Sequence, residues 1–273
     1  MSKKKIIGWV SCGITSAVAC KQAIMKYGKD KIELYYMKID SAHPDNDRFL
    51  KDLEKWYDLP ITTIRSDKYK DQFEVIEHTG YVNGAEGARC TLELKKKVRW
   101  GIEENIDFSA QIFGFEFVPK EVNRALRFNE QYPKAKAIFP LIETYLTKEN
   151  CAEILRFANI ELPTMYKLGY PNNNCIGCVK GGMGYWNKIR VDFPEHFDKM
   201  AKAERVAGFS CLKTEKEGRI FLDELNPKRG RKMKVVMPDC GTYCEVEFEG
   251  IEHPMLKKIL DKEVNIEQLR LVI

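Results

Sequence analysis

Four cysteines stand in two close pairs in the second half of this chain. Cys175 and Cys178 form a C-x2-C knuckle within LGYPNNNCIGCVKGGMGYW, residues 168 to 186, and Cys240 and Cys244 follow about 60 residues later. Thiolates spaced this closely can converge on one ion or cluster, and soft sulfur ligands favour zinc or iron–sulfur. Cys20, Cys151 and Cys211 sit in apolar or helical contexts and read as inert core thiols. The first half offers a different chemistry. Between an apolar run ending at Val10 and a helical pattern lies Ser11-Cys12-Gly13-Ile14-Thr15-Ser16. Such a strand-to-helix turn presents backbone N–H groups and the positive end of a helix dipole to an anion. Gly13 would let a phosphate approach the backbone, and Ser11, Thr15 and Ser16 add hydroxyl donors. The turn is neither G-x-G-x-x-G nor G-x-x-x-x-G-K-[ST], which excludes the dinucleotide fingerprint and the Walker loop.

These residues need a scaffold. The 273 residues, 44% hydrophobic and 31% charged, suffice for a sizeable core. No apolar run approaches the roughly 18 residues of a membrane span, so a membrane partner is not expected. The N-terminal Met1-Ser2-Lys3-Lys4-Lys5 leads into too short an apolar stretch for a signal peptide. A cytoplasmic setting follows as the expectation, and nine cysteines in reducing surroundings suggest ligation or catalysis for those that cluster. A net charge of +5 is too mild to declare a nucleic-acid binder, although the basic run at 228 to 234 suits an acidic partner as well as a solvated loop.

Periodicity predicts strands at 6–10, 32–39, 61–64, 110–115 and 137–142. Helices are expected at 16–27, 44–56, 71–77, 91–104 and 119–129, then at 147–158 and 194–206. Alternation of this kind argues for an α/β fold, an open parallel five-stranded sheet with helices on both faces, Rossmann-like in outline. A change of texture near residue 145 suggests a nucleotide-binding region over 1–145 and a smaller, mostly helical, cysteine-containing region over 146–273.

The opening turn resembles, position by position, the S-G-G-x-D-S pyrophosphate loop of the PP-loop ATP pyrophosphatases. Ser11, Gly13 and Ser16 are retained, Cys12 replaces a glycine, and Thr15 replaces the acidic residue. Asp40-Ser41-Ala42-His43-Pro44-Asp45 resembles the D-T-G-x-x-F-P-E-T segment of the phosphoadenosine phosphosulfate (PAPS) reductase family within that group. Cys90 to Lys95 resembles its C-[CT]-x-x-x-K segment. Gly114 to Arg124 sits where the family has G-x-R-x-x-E-S-x-x-R, with Glu116 in an arginine's place, and Phe139-Pro140-Leu141-Ile142 resembles its N-P-L segment.

The resemblance implies chemistry on an adenine nucleotide, ATP with Mg²⁺ or PAPS. The loop would hold phosphates, with Lys95, Arg124 or Arg127 neutralising them. Asp40 is a candidate for Mg²⁺, for a ribose hydroxyl or for a turn cap; His43 reads equally as structural. Family members that carry a [4Fe-4S] cluster use cysteines in the segment of Cys90 together with a later C-x2-C. That gives Cys90, Cys175, Cys178, Cys240 and Cys244 as five candidates for four metal positions. Asp239-Cys240-Gly241 resembles the segment holding the reductases' catalytic cysteine, but Thr242 and Tyr243 follow it and no histidine does.

Three functions are therefore weighed. The first is an ATP-using transferase that adenylates a substrate or moves sulfur, with a nucleic acid or nucleotide as acceptor and a sulfur donor as partner. The second is a sulfonucleotide reductase with Cys240 as nucleophile and thioredoxin as partner. The third is a non-catalytic nucleotide or nucleic-acid binding module with structural zinc. Self-association is a further partner candidate.

Overall fold

A computed structural model describes residues 4–84 and 87–233. Cys240 and Cys244 lie outside the described residues. Strand β1 (Lys5–Trp9) occupies the middle of a five-stranded, all-parallel sheet. On one side it pairs with β2 (Ile32–Met37), which pairs in turn with β3 (Ile61–Ile64); on the other come Phe108–Ile112 and then Ala137–Ile138. Neighbouring residues of a strand point to opposite faces. Ile6 and Ile7 are both buried, as are Tyr35 and Tyr36 on β2, so both faces of the sheet's centre are covered. This is why these strands read as continuous apolar runs.

Helix α1 (Ile14–Tyr27) follows β1, α2 (Asn46–Tyr57) follows β2, and α3 (Gln72–Thr79) follows β3. Ile6, Val18, Leu53, Ile112 and Leu155 belong to one core, so the helix Lys148–Phe157, beyond the change of texture at residue 145, packs with the sheet. Thr147 caps that helix in a reciprocal capping box with Asn150. A second core joins Phe73 and Ile76 of α3 to Trp186, Met200 and Leu222. It draws together α3, the helices Met183–Asp192 and Pro194–Ala207, and a hairpin of Leu212–Thr214 with Gly218–Ile220. Among the described residues no helix is long and apolar enough to cross a membrane.

The fourth and fifth strands depart furthest from their expected bounds. The fourth ends at Ile112 rather than 115 because Phe113 and Phe115 turn into an aromatic cluster with Phe128 and Phe139. The fifth is only Ala137–Ile138, since Pro140 opens a helical turn, Pro140–Glu143, where its missing N–H costs nothing. The basic helix is continuous from Arg89 to Asn105 but widens into a π-helical stretch over Leu92–Lys96 that carries Lys95.

Candidate nucleotide cleft and its neighbouring thiols

The chain builds β1, β2 and β3 outward in one direction and then returns to the other side of β1 with Phe108–Ile112. In open parallel sheets a ligand crevice forms beyond the carboxyl ends of the strands where the order reverses. That point lies between β1 and Phe108–Ile112, and the loop Ser11–Ser16 stands on it. Gly114, just past the fourth strand, presses on the start of α1: a Cβ there would lie 2.6 Å from the Ser16 backbone and 2.8 Å from the Thr15 carbonyl carbon. Only glycine permits this approach.

Internal hydrogen bonds shape the loop. The Ser11 amide and hydroxyl both donate to Ser16 Oγ, at 3.1 and 3.0 Å, and Ser16 Oγ donates to the Gly13 carbonyl at 2.8 Å. Gly13 is the N-cap of α1, and no side chain caps the helix. Among the described residues, the Ile14 amide alone of this first turn finds a side-chain partner, the Tyr166 hydroxyl at 3.4 Å. The first turn of α1 thus keeps backbone donors and the dipole's positive end for an anion. Cys12 adopts a left-handed backbone, φ +56°, at the position where the resembled loop has glycine. Its thiol is buried beside Tyr36, and burial pushes its pKa well above the usual thiol range.

A cleft opens beside the loop at the carboxyl ends of β1 and β2. Trp9, Ser11, Tyr36, Asn46, Lys95 and Asn173 line it, together with Cys175. Asn173 fastens this wall to the loop by donating to the Cys12 carbonyl at 2.7 Å and to Asn46 Oδ1 at 2.8 Å. Its own Oδ1 is buried without a partner. Trp9 is fixed by Gln111, its Nε1 donating to Oε1 at 2.7 Å, and its ring leans on Tyr35.

The thiols adjoin this cleft. Gly177, at φ +74°, turns the knuckle, and the Tyr185 hydroxyl bridges it by accepting from the Cys178 amide at 2.9 Å and donating to the Cys175 carbonyl at 3.1 Å. The Ile176 amide donates to the Ser41 carbonyl at 2.8 Å. Ser41 Oγ donates to Gln72 Oε1, and Gln72 Nε2 donates to the Ile176 carbonyl at 2.9 Å. The segment after β2 and the first turn of α3 therefore anchor the knuckle against the sheet. Cys90 and Cys175 pack on one small core formed by Ile39, Tyr69, Val75 and Leu94. Burial raises the Cys90 thiol to about 11, with charge on Cys178 and Cys175 adding to the rise and Lys95 and Lys180 opposing it. Cys178 is raised by burial too, against which the Lys180 amide donates to its sulfur.

Lys95 thus reaches both regions, as a wall of the cleft and as a positive charge acting on two thiols. The other expected residues are placed differently. Asp40 pairs with Arg65 at 3.7 Å at the surface beyond β2. Arg124 pairs with Glu121 at 3.0 Å and lies 4.3 Å from the centre of the Phe115 ring. Glu116, in the arginine's place, accepts from the Lys148 amide at 2.8 Å. His43 Nδ1 accepts from the Asp45 amide at 3.1 Å, a turn contact. Cys20 and Cys151 are fully buried in the sheet's core. Arg231 and Lys232 of the basic run line a second cleft with Cys178 and Lys180.

The donor set of Cys90, Cys175 and Cys178 fits a thiophilic zinc or iron–sulfur group in its chemistry. Among the described residues, however, no three His, Cys, Asp or Glu side chains stand where they could hold a metal ion together. No protein-family model and no curated protein matches the chain.

Proposed function

We propose that this protein binds ATP with its phosphates over the loop Ser11–Ser16 and uses it to adenylate an acceptor or to transfer sulfur, the acceptor being a nucleic acid or a nucleotide. The observation that carries the reading is the uncapped start of α1 at the sheet's switch point, with a cleft beside it and Cys175 on the cleft's wall. The free helix donors suit a polyphosphate. Lys95 supplies positive charge from the side, and the unpartnered Asn173 Oδ1 supplies an acceptor for an amino or hydroxyl group of the nucleoside. Trp9 and Tyr36 give the apolar wall against which a base can lie. Cys90, Cys175 and Cys178 are the thiols that would hold a zinc or iron–sulfur group, which would supply thiolate-bound metal chemistry, and Mg²⁺ would accompany the nucleotide.

The test is calorimetric titration of ATP and of PAPS into the wild-type chain and Gly13→Val. A Cβ at Gly13 meets nothing closer than Ser11 Oγ at 3.4 Å, so the valine side chain can be placed and its methyl groups obstruct the anion space. Wild-type binding of ATP that is lost in a folded Gly13→Val supports the loop. Equal binding by both refutes it. Sulfite release from PAPS with reduced thioredoxin, abolished in Cys240→Ser, would replace the transferase reading by the reductase one.

A further inference from the structure

The basic run that opens at Lys228 suits an acidic partner or a solvated loop, and the fold divides its members. Lys228 stands exposed, and Arg229 pairs with Glu217. Arg231 and Lys232 instead line a cleft of about 580 Å³, joined there by Lys180 from just after the knuckle. No Asp or Glu is among its walls, and none of the three cations pairs with a carboxylate among the described residues. The segment carrying Arg231 is fixed in place. Asn187 Nδ2, on the helix Met183–Asp192, donates to the Asn226 carbonyl at 2.9 Å and to the Arg229 carbonyl at 2.6 Å. Gly230, at φ +118°, and Gly184 lie backbone against backbone and leave no room for a Cβ on either. Asn172 and Asn174 form another wall, where Lys148 Nζ donates to Asn172 Oδ1 at 2.8 Å. Asn174 also lines the cleft beside the loop Ser11–Ser16, so the two clefts share a wall.

We propose that this second cleft holds a single strand of nucleic acid, with backbone phosphates on Lys180, Arg231 and Lys232 and the strand passing Asn174 toward the first cleft. The proposal rests on the ATP reading above and names its acceptor. Three cations around one concavity repel one another, and a ligand with charges spaced along its length relieves that repulsion. A phosphodiester backbone brings one negative charge per nucleotide. The Asn174 side-chain amide offers a donor and an acceptor to a base edge, and Met183 and Met233 offer adaptable apolar surface to a base face. An acidic peptide would meet the cations and leave those groups unused. The volume is that of a pocket for a drug-sized molecule, so roughly a nucleotide or two of a single strand fits and a duplex does not.

The experiment follows the fluorescence anisotropy of end-labelled oligouridylate, oligothymidylate and polyglutamate on titration with the full chain. Three phosphate contacts to a single strand give an affinity that falls about 20-fold between about 50 and 200 mM salt. The double variant Arg231→Gln, Lys232→Gln should bind at least about tenfold more weakly at the lower salt, and its salt dependence should shrink to about threefold. Lys228→Gln removes a charge of the same run outside the cleft and should stay within about twofold of the wild type. Circular dichroism establishes that each variant is folded, and the tighter of the two oligonucleotides tells RNA from DNA. Three results overturn the proposal: no binding of either oligonucleotide by the wild type, a loss in Lys228→Gln as large as in the double variant, or polyglutamate bound as tightly as the better oligonucleotide. ATP titrated into the same samples separates the two readings. ATP binding without oligonucleotide binding removes the strand site alone, and oligonucleotide binding without ATP binding removes the ATP reading and keeps the strand site.

Discussion

Ser16 Oγ accepts both the amide and the hydroxyl of Ser11, so that one buried oxygen closes the turn between β1 and α1. Removing it leaves the Ser11 amide without that partner and loosens the loop proposed to meet the phosphates. Ser16→Ala should weaken ATP binding at least tenfold, about 1.4 kcal/mol, while the chain stays folded. Calorimetry alongside circular dichroism decides the matter, and undiminished affinity in a folded variant would show that the loop's closure is irrelevant to binding.

Cys12 holds a conformation that a side chain resists, and its thiol is fully buried. Cys12→Gly removes backbone strain on the order of 1 kcal/mol while losing a comparable packing term, so its unfolding midpoint should stay close to wild type. Cys12→Val places a β-branched residue in the left-handed region and should cost about 3 kcal/mol or more. Equal urea midpoints for the two variants would contradict the strain argument.

Gly114 and Gly101 form a matched pair. Alanine at 114 meets the backbone of α1 and must push the loop after the fourth strand away from it, at a cost of about 2–3 kcal/mol and with loss of ATP binding. Alanine at 101, inside the helix Lys97–Asn105 with open space around it, should stabilise by roughly 0.5–1 kcal/mol. Denaturant unfolding of both variants checks the opposite signs.

Asp45 accepts two hydrogen bonds from Arg48, at 2.7 and 2.9 Å, and the Thr164 amide at 2.8 Å. Chiefly through Arg48, its carboxyl is held well below the ordinary value of 3.8. A carboxyl that is more acidic in the folded state stabilises fully above its unfolded pKa and loses that contribution as pH falls through the folded one. Asp45→Asn should therefore cost about 2 kcal/mol at pH 7, with the difference from wild type shrinking steadily below pH 3.8. Urea titrations at pH 7 and pH 3 measure the convergence; a difference independent of pH would remove the ion pair from the explanation.

The parallel sheet was legible because strands covered on both faces must be apolar throughout, and Ile6, Ile7, Tyr35 and Tyr36 show this in their letters. Phe113, Phe115 and Phe117 alternate as a strand would, yet the strand stops at Ile112 because aromatic side chains gain more by packing on Phe128 and Phe139 than the backbone gains from a longer ladder. The loop at 11–16 was visible in its small and hydroxylated residues, whereas the left-handed turn at Cys12 was hidden because cysteine stands where the conformation favours glycine. Asn173 has no periodicity to announce it, and its role arises only when residue 173 meets residues 12 and 46.

The core shared by α3 and the hairpin of Leu212–Thr214 with Gly218–Ile220 sets an order of events during synthesis. Phe73, Ile76 and Val82 emerge from the ribosome well over a hundred residues before Leu212, Ile220 and Leu222, with which they form one core. At the usual pace of translation the interval is on the order of 10 s, and throughout it the apolar side of α3 and the thiol of Cys90 await their partners. The nascent chain in that interval exposes apolar surface that the finished fold buries, a surface a chaperone can hold, and slower translation beyond residue 90 should lower the soluble yield.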